Sequence, residues 1–155
     1  MTSVKDLEPY AGNAEGLTAV LTDIASTMPN PIVFKVVGYV VNAFENVTQG
    51  DVVFARASDG QVGKAIANDT LDKAIVAGIA ETTVTAGNEV RVIVTGQVAV
   101  STTIDPGEMY FLSAASAGSL TKTPPTTAGH YVTLVGEAGT SNQIVLKIKR
   151  PVQLR

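Results

Sequence analysis

The chain has 155 residues, 45% hydrophobic, 16% charged and 5% aromatic, with a net charge of -3 and no cysteine. That is enough chain for one domain with a real core. The charge argues against a nucleic-acid surface, and the missing cysteine excludes disulfides, thiolate zinc sites and a cysteine nucleophile.

The first thirty residues differ from the rest. Met1 to Asn13 is polar, with Pro9 and Gly12, and reads as an extended arm. Its opening, MTSVKDLEPY, lacks the charged-then-apolar pattern of an export signal. From Ala14 to Met28, the residues Leu17, Val20, Leu21, Ile24 and Met28 step by threes and fours, the single stripe of a short amphipathic helix. Asn13 suits its N-cap, while Pro29 and Pro31 stop its continuation. Gly16 and several threonines weaken it, so the stripe needs a surface to lie on, in its own domain or in another chain.

From Pro31 onward the chain reads as short strands. With 22 Val and 18 Thr against 9 Leu, it is rich in residues that suit a pleated, half-buried surface. The expected strands are PIVFKVVGYVV, GDVVFARA, QVGKAI, AIVAGIAE, EVRVIVTGQVAV, EMYFLS, SLTKT, YVTLVGEA and QIVLKIKRPV. Turn residues separate them at ASDGQ, TAGNE, IDPGE and GTSNQ. In Glu89 to Gly96, Val90, Val92 and Val94 alternate with Arg91, Ile93 and Thr95; in Ile144 to Lys149, Ile144, Leu146 and Ile148 alternate with Val145, Lys147 and Lys149. Each alternation predicts one packed face and one mostly wet face. The expected fold is mainly β, an antiparallel β-sandwich or β-barrel-like domain over 31–155, preceded by the arm and short helix of 1–30. No apolar run approaches the roughly 20 residues of a membrane-spanning helix.

Two halves, about 44–100 and 101–152, look alike. GDVVF (Gly50 to Phe54) matches GEMYF (Gly107 to Phe111), and GQVGK (Gly60 to Lys64) matches GSLTK (Gly118 to Lys122). IVAGIAE roughly matches TLVGEAG, and EVRVIVTG matches QIVLKIKR at a shorter offset, 54 rather than 57 or 58. Duplication or shared hairpin grammar would each produce such matches.

The stretch GSLTKTPPT contains a Lys-Thr after a glycine, as a phosphate loop does. A phosphate loop needs a second glycine and a helix after the Lys-Thr; here Pro124 and Pro125 follow instead. A turn at Gly118, a short return strand and a proline stop is the better reading. The only histidine, His130, precedes a strand and has no GxSxG serine for company, so it reads as a strand-edge residue. Asn68, Asp69 and Asp72 lack the calcium-loop pattern and read as a solvated turn. The scattered carboxylates suggest no catalytic pair, and the basic tail with Lys147, Lys149, Arg150 and Arg155 reads as a solvated edge. We therefore expect no catalysis, cofactor or metal.

GEMYFLS, GSLTKTPPT, YVTLVGEA and QIVLKI together resemble a module of phage head-fibre and tail-fibre proteins, in which such a turn precedes a "V-G-x-A" strand. GDVVFARASDGQVGKA followed by VAGIAETTVTAGNEVRVIVTGQVAV resembles head-decoration proteins, those of the lambda type included. The resemblance covers roughly Phe44 to Val152. It implies a structural virion protein, a capsid decoration (cement) or head-fibre protein, made in the host cytoplasm and placed on the outer capsid surface. The implied partners are the major capsid protein and sister copies in a homotrimer, with no nucleic acid or membrane. On that reading the arm and stripe supply the partner-facing residues Val4, Leu7, Tyr10, Leu17, Val20, Leu21 and Ile24. The alternative is a fibre tip or adhesin module that binds a host-surface glycan, which predicts aromatic side chains exposed on loops.

Overall fold

The computed structural model describes residues 35–155, twelve strands and one short helix. The arm and the striped segment lie outside the described residues, and so do Val4, Leu7, Tyr10, Leu17, Val20, Leu21 and Ile24. Among the described residues no helix is long and apolar enough to cross a membrane.

The first sheet contains β1 (Val37–Asn42), β2 (Val52–Ala55), β3 (Val62–Lys64), β4 (Gly78–Ala80) and β5 (Glu89–Thr95), in the order β1-β5-β4-β2-β3. The second contains β6 (Gln97–Ala99), β7 (Met109–Leu112), β8 (Leu120–Thr121), β10 (Leu134–Thr140) and β11 (Gln143–Leu146), in the order β6-β11-β10-β7-β8. A ribbon of β9 (Tyr131–Val132) and β12 (Val152–Gln153) completes the set. Every strand pair is antiparallel, as expected, and the sheets stay open and do not close into a barrel.

The two large sheets use one strand order, and their registers correspond. Val52 pairs with Ile79 and Val53 with Gly78; Met109 pairs with Glu137 and Tyr110 with Gly136. Phe54 pairs with Gly63 and Ala55 with Val62; Phe111 pairs with Thr121 and Leu112 with Leu120. Ile79 pairs with Ile93 as Glu137 pairs with Val145. The last correspondence puts Ile93 with Val145, a different alignment of the final block from the one the letters suggest.

The register also shows how the sheets stack. Val52, Phe54, Ile79 and Ile93 on one face of the first sheet join Val98, Tyr110, Leu112, Ala138, Ile144 and Leu146 of the second in one buried cluster. The positions in the second sheet that correspond to Val52, Phe54, Ile79 and Ile93 are Met109, Phe111, Glu137 and Val145, and none of these is buried. Tyr110, Ala138 and Ile144 correspond instead to Val53, Ala80 and Val92, which lie on the far face of the first sheet. The sheets therefore stack front to back.

Both faces of the first sheet are buried, one by the second sheet and the other by the segment after β1. Val53, Val62, Ala80, Val90 and Val92 pack under Ala43 and Val47, with Val41 and Val84 at the margin. The alternation in β5 predicted a wet side containing Ile93, but Ile93 is 1% exposed because the second sheet covers it. Only Glu89, Arg91 and Thr95 on that side remain in water. From Ile144 to Lys149, along β11 and just beyond it, the expectation holds: Ile144 and Leu146 are buried, Ile148 packs against the same cluster, and Lys147 is exposed.

Thr70 caps the helix α1 (Leu71–Ala74), its hydroxyl accepting from the Lys73 amide. The fully buried Thr133 hydroxyl donates to the Ala74 carbonyl at 2.9 Å and ties this turn to the strand region β9–β10. Asp69 pairs with Lys73, so the Asn68–Asp72 group is the entrance to a single helical turn rather than a plain loop.

Candidate interaction surfaces

The GSLTK turn sits at the junction of the two halves. Gly118 has φ +79°, a region that favours glycine. Its N–H donates to the Ala65 carbonyl and its carbonyl accepts from the Val52 amide, so the second-half turn is fastened to the first half. Leu120 and Thr121 form the short return strand β8, as expected. Lys122 forms an exposed ion pair with Asp105, and the pairing raises its pKa, the Asp105 hydrogen bond first. No helix follows and no phosphate cradle forms here.

Beside this turn lies a polar cleft of about 530 Å³, lined by hydroxyls such as Ser101, Thr103 and Thr121 and by Asp51, Asp105 and Lys122. Asp51 accepts from the Thr48 amide at 2.8 Å. Burial raises its pKa above the ordinary carboxylate value, and nearby Glu45 adds to this; the Thr48 hydrogen bond and Lys64 oppose it. The folded state thus holds this proton more tightly than the unfolded chain. The Asp51 contribution to stability is greatest below the unfolded-state pKa and falls as pH rises through the window up to the raised one. Asp51→Asn keeps an acceptor for Thr48 and should flatten that part of the pH–stability curve, read by urea unfolding at a series of acid pH values.

Several candidates from the sequence resolve simply. The His130 amide donates to the Thr127 carbonyl and its own carbonyl accepts from the Leu154 amide, in keeping with a residue at the edge of β9. Of the basic tail, Lys147 pairs with Glu137 at 2.7 Å. Among the described residues no three histidines, cysteines or carboxylates group as metal ligands. Tyr110 and Tyr131 are buried strand residues, and the Tyr110 hydroxyl accepts from the Asp105 amide. The exposed loop aromatics that a glycan platform needs are not supplied by these two.

The surface that sequence reasoning missed is β1. Among the described residues it lies at the edge of the first sheet, with β5 on one side only. Val36, Val37, Tyr39 and Val40 are exposed, Val40 to 59% and Tyr39 to 39%. Burial of the rest of Tyr39 raises its phenol pKa. Large apolar side chains on an open strand edge mark an interaction site when nothing blunts the edge. The signal was present in the letters, since VVGYVV has no charge, but an apolar run of that length reads equally as a buried central strand.

Comparisons with known proteins give little to set beside this geometry. No family model matches the chain, and no curated protein does. Among solved structures, the chain is similar to the head fiber gp8.5 N base of bacteriophage phi29. The identity is 19% and the TM-score 0.45, over 73% of this chain and 95% of that one.

Proposed function

We propose that this chain is a structural protein of a tailed-phage virion, a head-fibre or capsid-decoration protein. It holds to the outer face of the capsid through the major capsid protein and acts by burial and backbone pairing, without chemistry. The observation that carries this reading is where the fibre-like motifs fall. GEMYFLS supplies β7, GSLTKTPPT supplies β8, YVTLVGEA supplies β9 and most of β10, and QIVLKI supplies β11, four strands of one sheet and one of the ribbon. The lambda-type motifs supply β2 to β6 in the same way. Attachment is assigned to residues 1–30, with Val4, Leu7, Tyr10, Leu17, Val20, Leu21 and Ile24 facing the capsid.

Co-sedimentation tests the proposal. The purified chain should pellet with undecorated capsids of its own phage and remain in the supernatant alone. Leu17→Glu with Leu21→Glu should reduce the pelleted fraction severalfold, and a glycan array should give no hits. A chain that stays in the supernatant beside capsids, or binds glycans instead, defeats the reading.

A further inference from the structure

We infer that the polar cleft beside β8 is a docking slot for an extended segment of a partner protein, one in which a small residue is followed by glutamate. The inference is independent of the capsid reading.

The two halves repeat their hydrogen bonds beyond the strands. After β1, the amides of Ala43, Val47 and Gly50 donate to the carbonyls of Asn88, Val84 and Ala80. After β6, the amides of Val100, Ile104 and Gly107 donate to those of Asn142, Ser141 and Ala138. The segments 43–50 and 100–107 are therefore counterparts, and Ser101 and Thr102 hold the places of Phe44 and Glu45. The strand registers put Leu120 and Thr121 in the places of Val62 and Gly63, and Lys122 follows as Lys64 does.

In the first half the seam between these pieces is shut. The Phe44 amide donates to the Val62 carbonyl at 2.9 Å, and the Glu45 carboxylate accepts from the Lys64 amide at 2.6 Å. The Phe44 ring lies on Gly63, where a Cβ would overlap it. The second half has serine and threonine in place of that phenylalanine and glutamate. Among the described residues neither bond is made there, and the seam stands open as the cleft of about 530 Å³. Ser101 and Thr102 line one side of it, Leu120 and Lys122 the other.

The backbone of β8 is turned towards this gap. The Ser119 carbonyl accepts from the Ser113 amide, and Thr121 pairs with Phe111, so both face β7. Successive residues of a strand direct their backbone groups to opposite edges. The Leu120 carbonyl and the Lys122 amide therefore point into the cleft. They correspond to the two groups of the first half that Phe44 and Glu45 satisfy, and an open edge of this kind takes an added extended chain.

The shut seam also defines the occupant. A main-chain N–H reaches the Leu120 carbonyl, and the next side chain brings a carboxylate to the Lys122 amide. The residue before that glutamate is small, because Thr121 carries a Cβ where Gly63 leaves room for a ring. Asp51 and Asp105 border the same cleft, and Asp105 is held by Lys122. A glutamate is at home in such company, since Glu45 already lies close enough to Asp51 to raise its pKa.

Fluorescence anisotropy of labelled peptides with the full chain tests the slot. The probe copies Val41–Thr48, VNAFENVT, with Phe44→Ala, and it should bind. Glu45→Ala in the peptide should weaken binding about tenfold or more, the loss of one charge-assisted hydrogen bond. The peptide that keeps phenylalanine should bind wild-type protein more weakly than the alanine form, and Thr121→Gly in the protein should reverse that preference. Lys122→Pro removes the edge amide at a position where proline is tolerated and should abolish binding with unchanged circular dichroism. Lys122→Ala keeps the amide and should retain binding. No binding of the alanine peptide, indifference to Glu45→Ala, an unchanged preference in Thr121→Gly, or equal loss in Lys122→Ala and Lys122→Pro would each overturn the inference. Capsid binding is read separately, so either idea can fail alone.

Discussion

Ile93→Ala is expected to lower the free energy of unfolding by about 2–5 kcal/mol, the usual range for truncating a large aliphatic side chain in a core. Ile93 is 1% exposed and belongs to the cluster that both sheets share. It projects from β5, which pairs with both β1 and β4. Its terminal methyl lies under Gly38, where no side chain can move in to refill the space. The surroundings can collapse only by drawing the sheets together, so much of the cavity should persist. Urea unfolding followed by far-UV circular dichroism measures the loss. A change within about 0.5 kcal/mol, the range of surface substitutions, would mean that the second sheet does not cover this position.

Gly78→Ala and Gly136→Ala are expected to be comparably damaging for the opposite reason. A Cβ at Gly78 would collide with the Ile93 carbonyl oxygen, and one at Gly136 with the Val145 carbonyl oxygen. In each case the obstacle is backbone of the neighbouring strand, which cannot rotate away. Relief requires parting β4 from β5 or β10 from β11, and overpacking of this kind costs about 1–3 kcal/mol or more. The two glycines hold corresponding places, and so do the two carbonyls they approach. Their losses should therefore be similar, whereas Gly60→Ala, which meets no atom within 4 Å, should cost only the strain of its positive φ. Thermal melts of the three variants side by side give the comparison. If Gly78→Ala melted with the wild type, the close approach of β4 and β5 would be refuted.

Most of the strands were legible because valine-rich runs are bounded by turn residues. GDVVFARA, QVGKAI and EMYFLS became β2, β3 and β7 with trimmed ends. EVRVIVTGQVAV reads as one strand but folds as two. Gly96 takes φ +102° between β5 and β6, and the chain there passes from the first sheet to the second. The helix at Leu71–Ala74 was missed because four residues are too few for a helical stripe. Ile93 shows a deeper limit. Alternation separates two faces of a strand but does not say how many are covered; here the second sheet covers one face of the first sheet and the segment with Ala43 and Val47 covers the other. The exposed edge of β1 was obscured for the same reason, because an uncharged valine run looks the same whether a neighbour lies on one side or two. The attachment residues proposed in 1–30 rest on their sequence pattern alone.

Front-to-back stacking, unlike a face-to-face sandwich, has no built-in end. A unit that can accept its own kind on one face presents that same face again after each addition, as a growing polymer does. Here the place equivalent to Ile79 is Glu137, paired with Lys147 across the outer face of the second sheet. Burying that ion pair under a third sheet would strip both charges of water at a cost their attraction does not reliably offset. One carboxylate in place of an isoleucine thus weighs against a third layer on this face.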